Sequence, residues 1–186
     1  RGPDDQSTIA ALSSLGYLHG LVGDVRRRAE IQRDVYARSV RRWGEANQYT
    51  LVERINLGDA EHGVGRLDVA ERHLAAAVTG LIATSGETSS LVDAARYSHA
   101  NVLHALARHR DALSVIDRIE TTRLANASAD AKGDGKLAAL RGRVLLGLGR
   151  AAEGREQIER AIAQLQAEGS DAATLEELKA LITAPG

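Results

Sequence analysis

The chain has 186 residues, of which 44% are hydrophobic and 26% are charged, and its formal net charge is −1. This balance supplies enough apolar surface for an ordered core and argues against a general binder of nucleic acid or of an anionic membrane. The absence of cysteine excludes disulfides and thiolate metal sites, and fits either a reducing cytosol or a cell-envelope compartment. No run of residues approaches the roughly 18 apolar positions of a membrane span, so we expect no membrane contact.

The core must be built from small and aliphatic side chains, because the sequence holds no Phe, no Met and a single Trp. Since methionine is missing altogether, we expect the chain to be a piece excised from a longer protein. The 21 arginines against three lysines suggest a GC-rich, bacterial genome.

Apolar residues recur at helical spacing through most of the chain. In chain order, this periodicity predicts helices over about 6–22, 24–43, 46–64, 66–83, 89–106, 108–124, 136–148, 150–167 and 171–183. The connection 125–135 consists of small or polar residues with two glycines, and is the predicted hinge or disordered loop. The last helix presents Leu175, Leu178 and Ile182 on one face, as a helix that caps an array should.

The second predicted helix carries seven arginines against three acids. Such a helix can present a face to phosphates or to an acidic partner. It can equally be the solvated outer side of a helix pair, with the arginine stems covering apolar surface. No aromatic residues interleave the arginines to stack on bases, and we favour the solvated face.

Small residues recur with a fixed period of 42 residues, the signature of a repeat architecture. One column of the repeat is Gly16, Gly58, Ala100 and Gly142, and a second is Gly23, Gly65, Ala107 and Gly149. Two shorter columns have the same period: Ala70, Ala112 and Gly154, and Leu74, Ile116 and Ile158.

Each column has a physical reason in a helical hairpin. Two helices approach closely only where a side chain is small, so Gly58 and Ala70 mark the crossing of the second hairpin. Gly65 falls where the first helix ends, at a position that favours positive φ. Ala77 closes the contact with the next unit. The space between the two helices is filled by large aliphatic residues, namely Leu57, Val64, Leu67 and Leu74.

The order Leu-Gly, seven residues on a Gly, five more to an Ala, four to a large aliphatic residue and three to an Ala resembles the tetratricopeptide repeat (TPR). That family's unit has about 34 residues, and the longer period here is similar to the variant in kinesin light chains and in many bacterial regulatory proteins. In the first copy Arg28 stands in the column of Ala70, and a one-residue slip is expected to give that role to Ala29.

The resemblance covers essentially the whole chain as four units, 9–42, 51–84, 93–126 and 135–168. It implies an all-α fold: a right-handed superhelix of four TPR-like helix-turn-helix units, with a capping helix over 171–183, in a single domain. It also implies a concave groove lined by the first helix of each pair. Polar and aromatic residues at the groove positions suit an extended or helical peptide: Ser13, Tyr17, Asn56, Asp59, His62, Tyr97, Asn101, His104, Lys136 and Arg143.

The sequence contains few signals of metal binding or of catalysis. His99, His104 and His109 are spaced by five, so consecutive members should point away from one another on a helix, and no HExxH motif occurs. His99 falls in a core column, where we expect a hydrogen-bonded interior histidine. No nucleophile elbow and no glycine-rich phosphate loop occurs, and we expect no metal, no cofactor and no enzymatic activity.

We therefore expect a non-catalytic protein- or peptide-binding module. Its context would be the sensory or scaffolding part of a larger bacterial signalling protein, such as a kinase or a transcription regulator. The alternative is a self-association module that forms a homodimer through an exposed terminal or convex face. Neither reading requires nucleic acid or a membrane.

Overall fold

The computed structural model describes residues 2–125 and 134–183, and the regular structure in these ranges is entirely α-helical. The predicted hinge therefore lies largely outside the described residues, which resume at α7. The helices of the described ranges are α1 (Gln6–Leu21), α2 (Val25–Trp43), α3 (Gln48–Gly63), α4 (Leu67–Ser85), α5 (Ser90–Ala105), α6 (His109–Ala125), α7 (Asp134–Gly147), α8 (Ala151–Ala167) and α9 (Ala172–Thr183).

Several helices begin at a side chain that accepts a hydrogen bond from a free backbone N–H of the first turn. Asp5 accepts from the N–H of Ser7 at 2.9 Å, and Asn47 accepts from that of Tyr49 at the same distance. Asp24 and Asp171 play the same part for α2 and α9. These caps are local, which is why the predicted starts of these four helices lie within two residues of the observed ones.

Glycines at positive φ follow the helix ends at the predicted positions. Gly65 has φ 78°, and Gly23 and Gly149, in the same column of the repeat, have φ 79° and 75°. The remaining member of that column, Ala107, adopts φ 57° although it carries a Cβ. The backbone thus repeats its left-handed turn even where the sequence has lost the glycine, at a cost in strain.

The helices pack as sequential hairpins. α1 packs on α2, α3 on α4 and α7 on α8; α2 also packs on α3, α6 on α7, and α9 on α8. The chain divides into two compact units, residues 1–102 and 103–186. The expectation of one continuous domain stays a prediction.

The predicted close crossing is confirmed in the second and fourth hairpins. A Cβ placed on Gly58 would lie 2.5 Å from Cγ of Leu74, and one placed on Gly142 would lie 2.5 Å from Cγ1 of Ile158. Leu74 and Ile158 occupy the same column and are fully buried. The glycines therefore leave room for the large aliphatic residue of the facing helix.

In the first hairpin, Ala29 is buried, as expected, at 1% exposure. Gln32, which stands in the column of Leu74, nevertheless lies over Gly16, with its Nε2 3.0 Å from where a Cβ would be. The stem of Arg28 lies against Gly20. α2 therefore packs on α1 in the same register as in the other hairpins, and the expected slip concerns only the burial of Ala29.

A buried ion pair joins α2 to α3. The guanidinium of Arg33 donates from Nε to Oε1 of Glu61 at 2.6 Å and from Nη2 to Oε2 at 2.9 Å. The Glu61 side chain is 3% exposed and that of Arg33 is 38% exposed. The hydrogen bond to Glu61 raises the pKa of Arg33 above its ordinary value. Arg66 adds a second cation, 3.8 Å from Oε2.

The apolar core of each unit uses the expected aliphatic residues. In the first unit Ile9, Ile31 and Val35 form a cluster that Leu12 and Trp43 cover. In the second unit Leu178 of α9 is buried with Ile158 and Leu165, and Leu175 and Ile182 pack against the same cluster. The amphipathic face predicted for the last helix is therefore the face that packs on α8.

Candidate functional site

A hydrogen-bonded polar cluster joins α1 to α3 in the first unit. Ser13 donates from Oγ to Oε2 of Glu53, and Asn56 donates from Nδ2 to the same oxygen, both at 2.9 Å. Two predicted groove residues are thus brought together by Glu53, which the sequence reasoning missed. The available signal was its position on α3, one turn before Asn56.

A second cluster joins α3 to α5. Burial raises the pKa of the Asp59 carboxyl, while a hydrogen bond from Ser98 and the charges of Arg28 and His62 oppose that rise. Asp59 and His62 are both half-buried groove residues on α3. Ser98 lies on α5 and was not predicted, because nothing local in the sequence distinguishes it from other helical serines.

The remaining predicted residues of the first unit differ in how much surface they offer. Tyr17 is 61% exposed on α1, and Tyr97 is half-buried on α5. Asn101 is also half-buried, but its Nδ2 donates to the backbone carbonyl of Tyr97 at 2.9 Å, so that one donor is already engaged. The two tyrosine rings are therefore the larger contact surfaces among the predicted set of this unit.

The prediction that His104 and His109 point away from one another is wrong. Their Nδ1 atoms lie 3.2 Å apart. α5 ends at Ala105 and Ala107 turns the chain at φ 57°, so the spacing of five is not measured along one helix. Burial, and then the charges of His109 and Arg143, hold the pKa of His104 below 6.5. A hydrogen bond between the two Nδ1 atoms also needs one ring to accept, which requires a neutral imidazole.

The two other predicted residues of the second unit lie on α7. Lys136 is exposed. Arg143 donates from Nη2 to Oε1 of Glu177 on α9 at 2.9 Å, so the capping helix already engages its charge. The sequence alone suggested Arg143 as a ligand-binding residue. Its bond to Glu177 depends on the approach of α9 to α7, a tertiary contact that the local sequence does not reveal.

Carboxylates engage arginines on much of α2. Besides the pair with Glu61, Arg38 bonds Asp34 and Arg41 bonds Asp4, each at 2.8 Å. The expected solvated face fits these contacts better than a phosphate-binding face does, and the structure adds ion pairs that were not predicted.

A shallow cleft in the second unit is lined in part by Arg110, Asp117 and Arg150. Asp117 accepts a hydrogen bond from Arg141 at 2.6 Å, and Arg150 bonds Glu153. Charge in the cleft is thus largely balanced within the protein.

Within residues 2–125 and 134–183, no group of three or more His, Cys, Asp or Glu side chains is placed to hold a metal ion. His99 is half-buried with its Nε2 3.4 Å from Oε1 of Glu71, as expected for an interior histidine. In the same part of the chain, no helix combines the length and apolar character that a membrane crossing needs.

No family model matches the sequence, and no curated protein matches it either. Solved structures do. BtubC (BKLC) from P. vanneervenii superposes with a TM-score of 0.73 at 16% identity, over 88% of this chain and 65% of that chain. A putative kinesin light chain from Podosopora anserina, with nearly identical TPR-like repeats, superposes with a TM-score of 0.75 at 15% identity, over 98% of this chain and 85% of that one. A single-substitution variant of the same protein matches to the same extent.

This chain therefore has a TPR-like repeat fold, similar to those of kinesin light chain and BtubC. It spans less than two thirds of the BtubC chain that it matches. At such low identity the likeness concerns the fold alone.

Proposed function

We propose that this chain is a non-catalytic module that binds a protein segment along the polar faces of α1, α3 and α5 in its first unit. The carrying observation is that Tyr17 and Tyr97 offer ring surface on the helices that the two polar clusters connect. Rings can cover the side chains of a bound segment, while amides and carboxyls can bond its backbone. The fold supports protein partners in general.

Hydrogen bonding within the protein supports a pre-formed surface. Glu53 holds Ser13 and Asn56 in place, and Ser98 holds Asp59, before any ligand arrives. A surface whose side chains are already positioned loses less conformational entropy on binding. We infer that the ligand meets fixed acceptors between the two rings.

The wider context that we propose is the sensory or scaffolding part of a larger bacterial signalling or regulatory protein. The arginine bias supports the bacterial origin. The scaffolding role rests on the repeat fold, whose units present side chains from successive helices to one ligand.

A peptide-display selection tests the proposal. Peptides enriched on the wild-type chain are measured by titration against Tyr17→Ala, Tyr97→Ala and, as the matched control, Tyr49→Ala. Tyr49 is exposed to the same 61% as Tyr17, but lies outside the groove positions, against the ring of Trp43. We expect a loss of about tenfold in affinity for the first two variants and none for the control.

Unchanged helicity by circular dichroism must accompany the loss. Peptides that bind all three variants equally would contradict the proposed surface, and a selection that enriches nothing would count against peptide binding itself.

A further inference from the structure

The outer face of α1 is an exposed apolar stripe. Ala11, Leu15, Leu18 and Val22 recur at the spacing of one helical face. Leu15 is 43% exposed, Leu18 55% and Val22 79%, and the neighbouring Leu21 is 65% exposed. No Asp, Glu, Lys or Arg occurs between residues 6 and 23. The stripe is therefore both apolar and uncharged.

The later units show what normally covers this face. In the repeat, Leu15 corresponds to Leu57, and Leu18 corresponds to Ala60 and Val144. Leu57 is 3% exposed, and Ala60 and Val144 are fully buried. Those residues lie on α3 and α7, on which α2 and α6 pack. At Leu15 and Leu18 the stripe on α1 therefore has the same apolar character as the face of α3 on which α2 packs, and is a candidate packing surface for a helix.

We propose that this packing surface is covered by α1 of a second copy of this chain, packed antiparallel about a twofold axis. The stripe has intervals of four, three and four residues, a pattern that reads the same in both directions. An antiparallel partner therefore places Leu15 opposite Leu18, and Ala11 opposite Val22, in a single register with small residues facing large ones. Because the stripe carries no charged residues, two copies do not repel each other electrostatically. The antiparallel arrangement also places the two helix dipoles in opposite, favourable directions.

The size of the stripe fits a reversible dimer. Together with the neighbouring Leu21, its exposed residues amount to about 450 Å² per copy, so a symmetric pair that covers all of them buries about 900 Å², in the range of weak, transient interfaces. A patch of this size matches the largest apolar patch on a typical monomer, which is often a functional surface. We expect a monomer–dimer equilibrium and not a permanent dimer.

The first test is the mass of the chain in solution, by light scattering behind a sizing column, over an about hundredfold range of concentration. The wild-type mass should rise toward that of a dimer. Leu18→Arg should raise the dissociation constant at least about tenfold. The control Leu124→Arg, at a leucine that is 82% exposed on α6, should leave it unchanged. A mass that stays monomeric throughout, or a dimer that survives Leu18→Arg, overturns the proposal.

Cross-linking tests the register even if Leu18→Arg disturbs the fold. Because the chain has no cysteine, a single introduced thiol is unique. A mixture of Leu15→Cys and Leu18→Cys chains should form the mixed disulfide faster than either variant links to itself, and Leu124→Cys should not cross-link above background. Preferred linking of like with like would show a parallel pair, and linking at the control position would show non-specific collision; either result overturns the proposal.

Discussion

Replacing Gly58 by alanine tests the packing that underlies the repeat. Gly58 lies within α3, and an added Cβ would approach Cγ of Leu74 to 2.5 Å and its Cδ2 to 2.8 Å. Real side chains do not approach that closely, so Leu74 or the helix must move. Leu74 is fully buried, so it cannot move aside into solvent.

The magnitude follows from two opposing effects. Alanine is intrinsically better than glycine inside a helix by about 1 kcal/mol. Overpacking a closed core costs about 1–3 kcal/mol, and a branched carbon at this distance belongs at the upper end of that range. We expect Gly58→Ala to lower the free energy of unfolding by about 1–2 kcal/mol.

Gly63 provides a control on the same helix. A Cβ there would meet only Val25, at 3.8 Å from its Cγ1, which is an ordinary contact. Gly63→Ala should therefore gain about 0.5 kcal/mol from helix propensity, less than the full value because the residue ends the helix. The two variants should differ by about 2 kcal/mol, or roughly 4–8 °C in melting temperature for a chain of this size.

Urea denaturation followed by far-ultraviolet circular dichroism measures both variants. A further variant, Leu74→Ala, should cost less in the Gly58→Ala background than alone, because the new methyl group occupies part of the vacated space. If Gly58→Ala is as stable as Gly63→Ala, the reasoning about the crossing is refuted.

Three other perturbations follow from the contacts. Arg33→Met should lower the free energy of unfolding by about 3 kcal/mol and Glu61→Gln by about 1 kcal/mol. Only Arg33→Met leaves a buried charge, the carboxylate of Glu61, without its main partner. Equal losses of unfolding free energy in urea denaturation would contradict this. Ala107→Gly should stabilise and Gly65→Ala destabilise, each by about 0.5–1 kcal/mol, because both residues adopt positive φ; thermal shifts of the same sign would contradict it. Burial and nearby positive charge hold the pKa of His104 below 6.5, so the free energy of unfolding should decrease as the pH falls below about 6.5. His104→Gln should reduce that decrease. If the variant shows the same dependence of unfolding free energy on pH as the wild type, His104 is not responsible.

The resemblance to the tetratricopeptide repeat placed the groove residues on the first helix of each hairpin, and their contact with a ligand stays a prediction. Ser13, Asn56 and Asp59 occupy equivalent faces of first helices, and they lie in clusters that join those helices. The partners Glu53 and Ser98 were missed, because a hydrogen bond between two helices depends on their separation and rotation. Neither quantity is encoded in the residue types of one helix.

The sequence by itself determined where helices begin and end. Caps such as Asp5 and turns such as Gly65 act within a few residues, so their effect is readable from local order. The small-residue columns also determined which helices cross closely, since close approach requires the absence of a side chain.

Only the tertiary structure decided which polar groups meet and which apolar groups remain open. His104 reaches His109 because the chain reverses at Ala107, and Arg143 is engaged by Glu177 because α9 packs where it does. Leu18 has the same apolar character as the buried residues of its column, yet it is 55% exposed, because no helix of the described residues packs against this face of α1. Exposure and pairing depend on what lies across space, and distance along the chain does not report that.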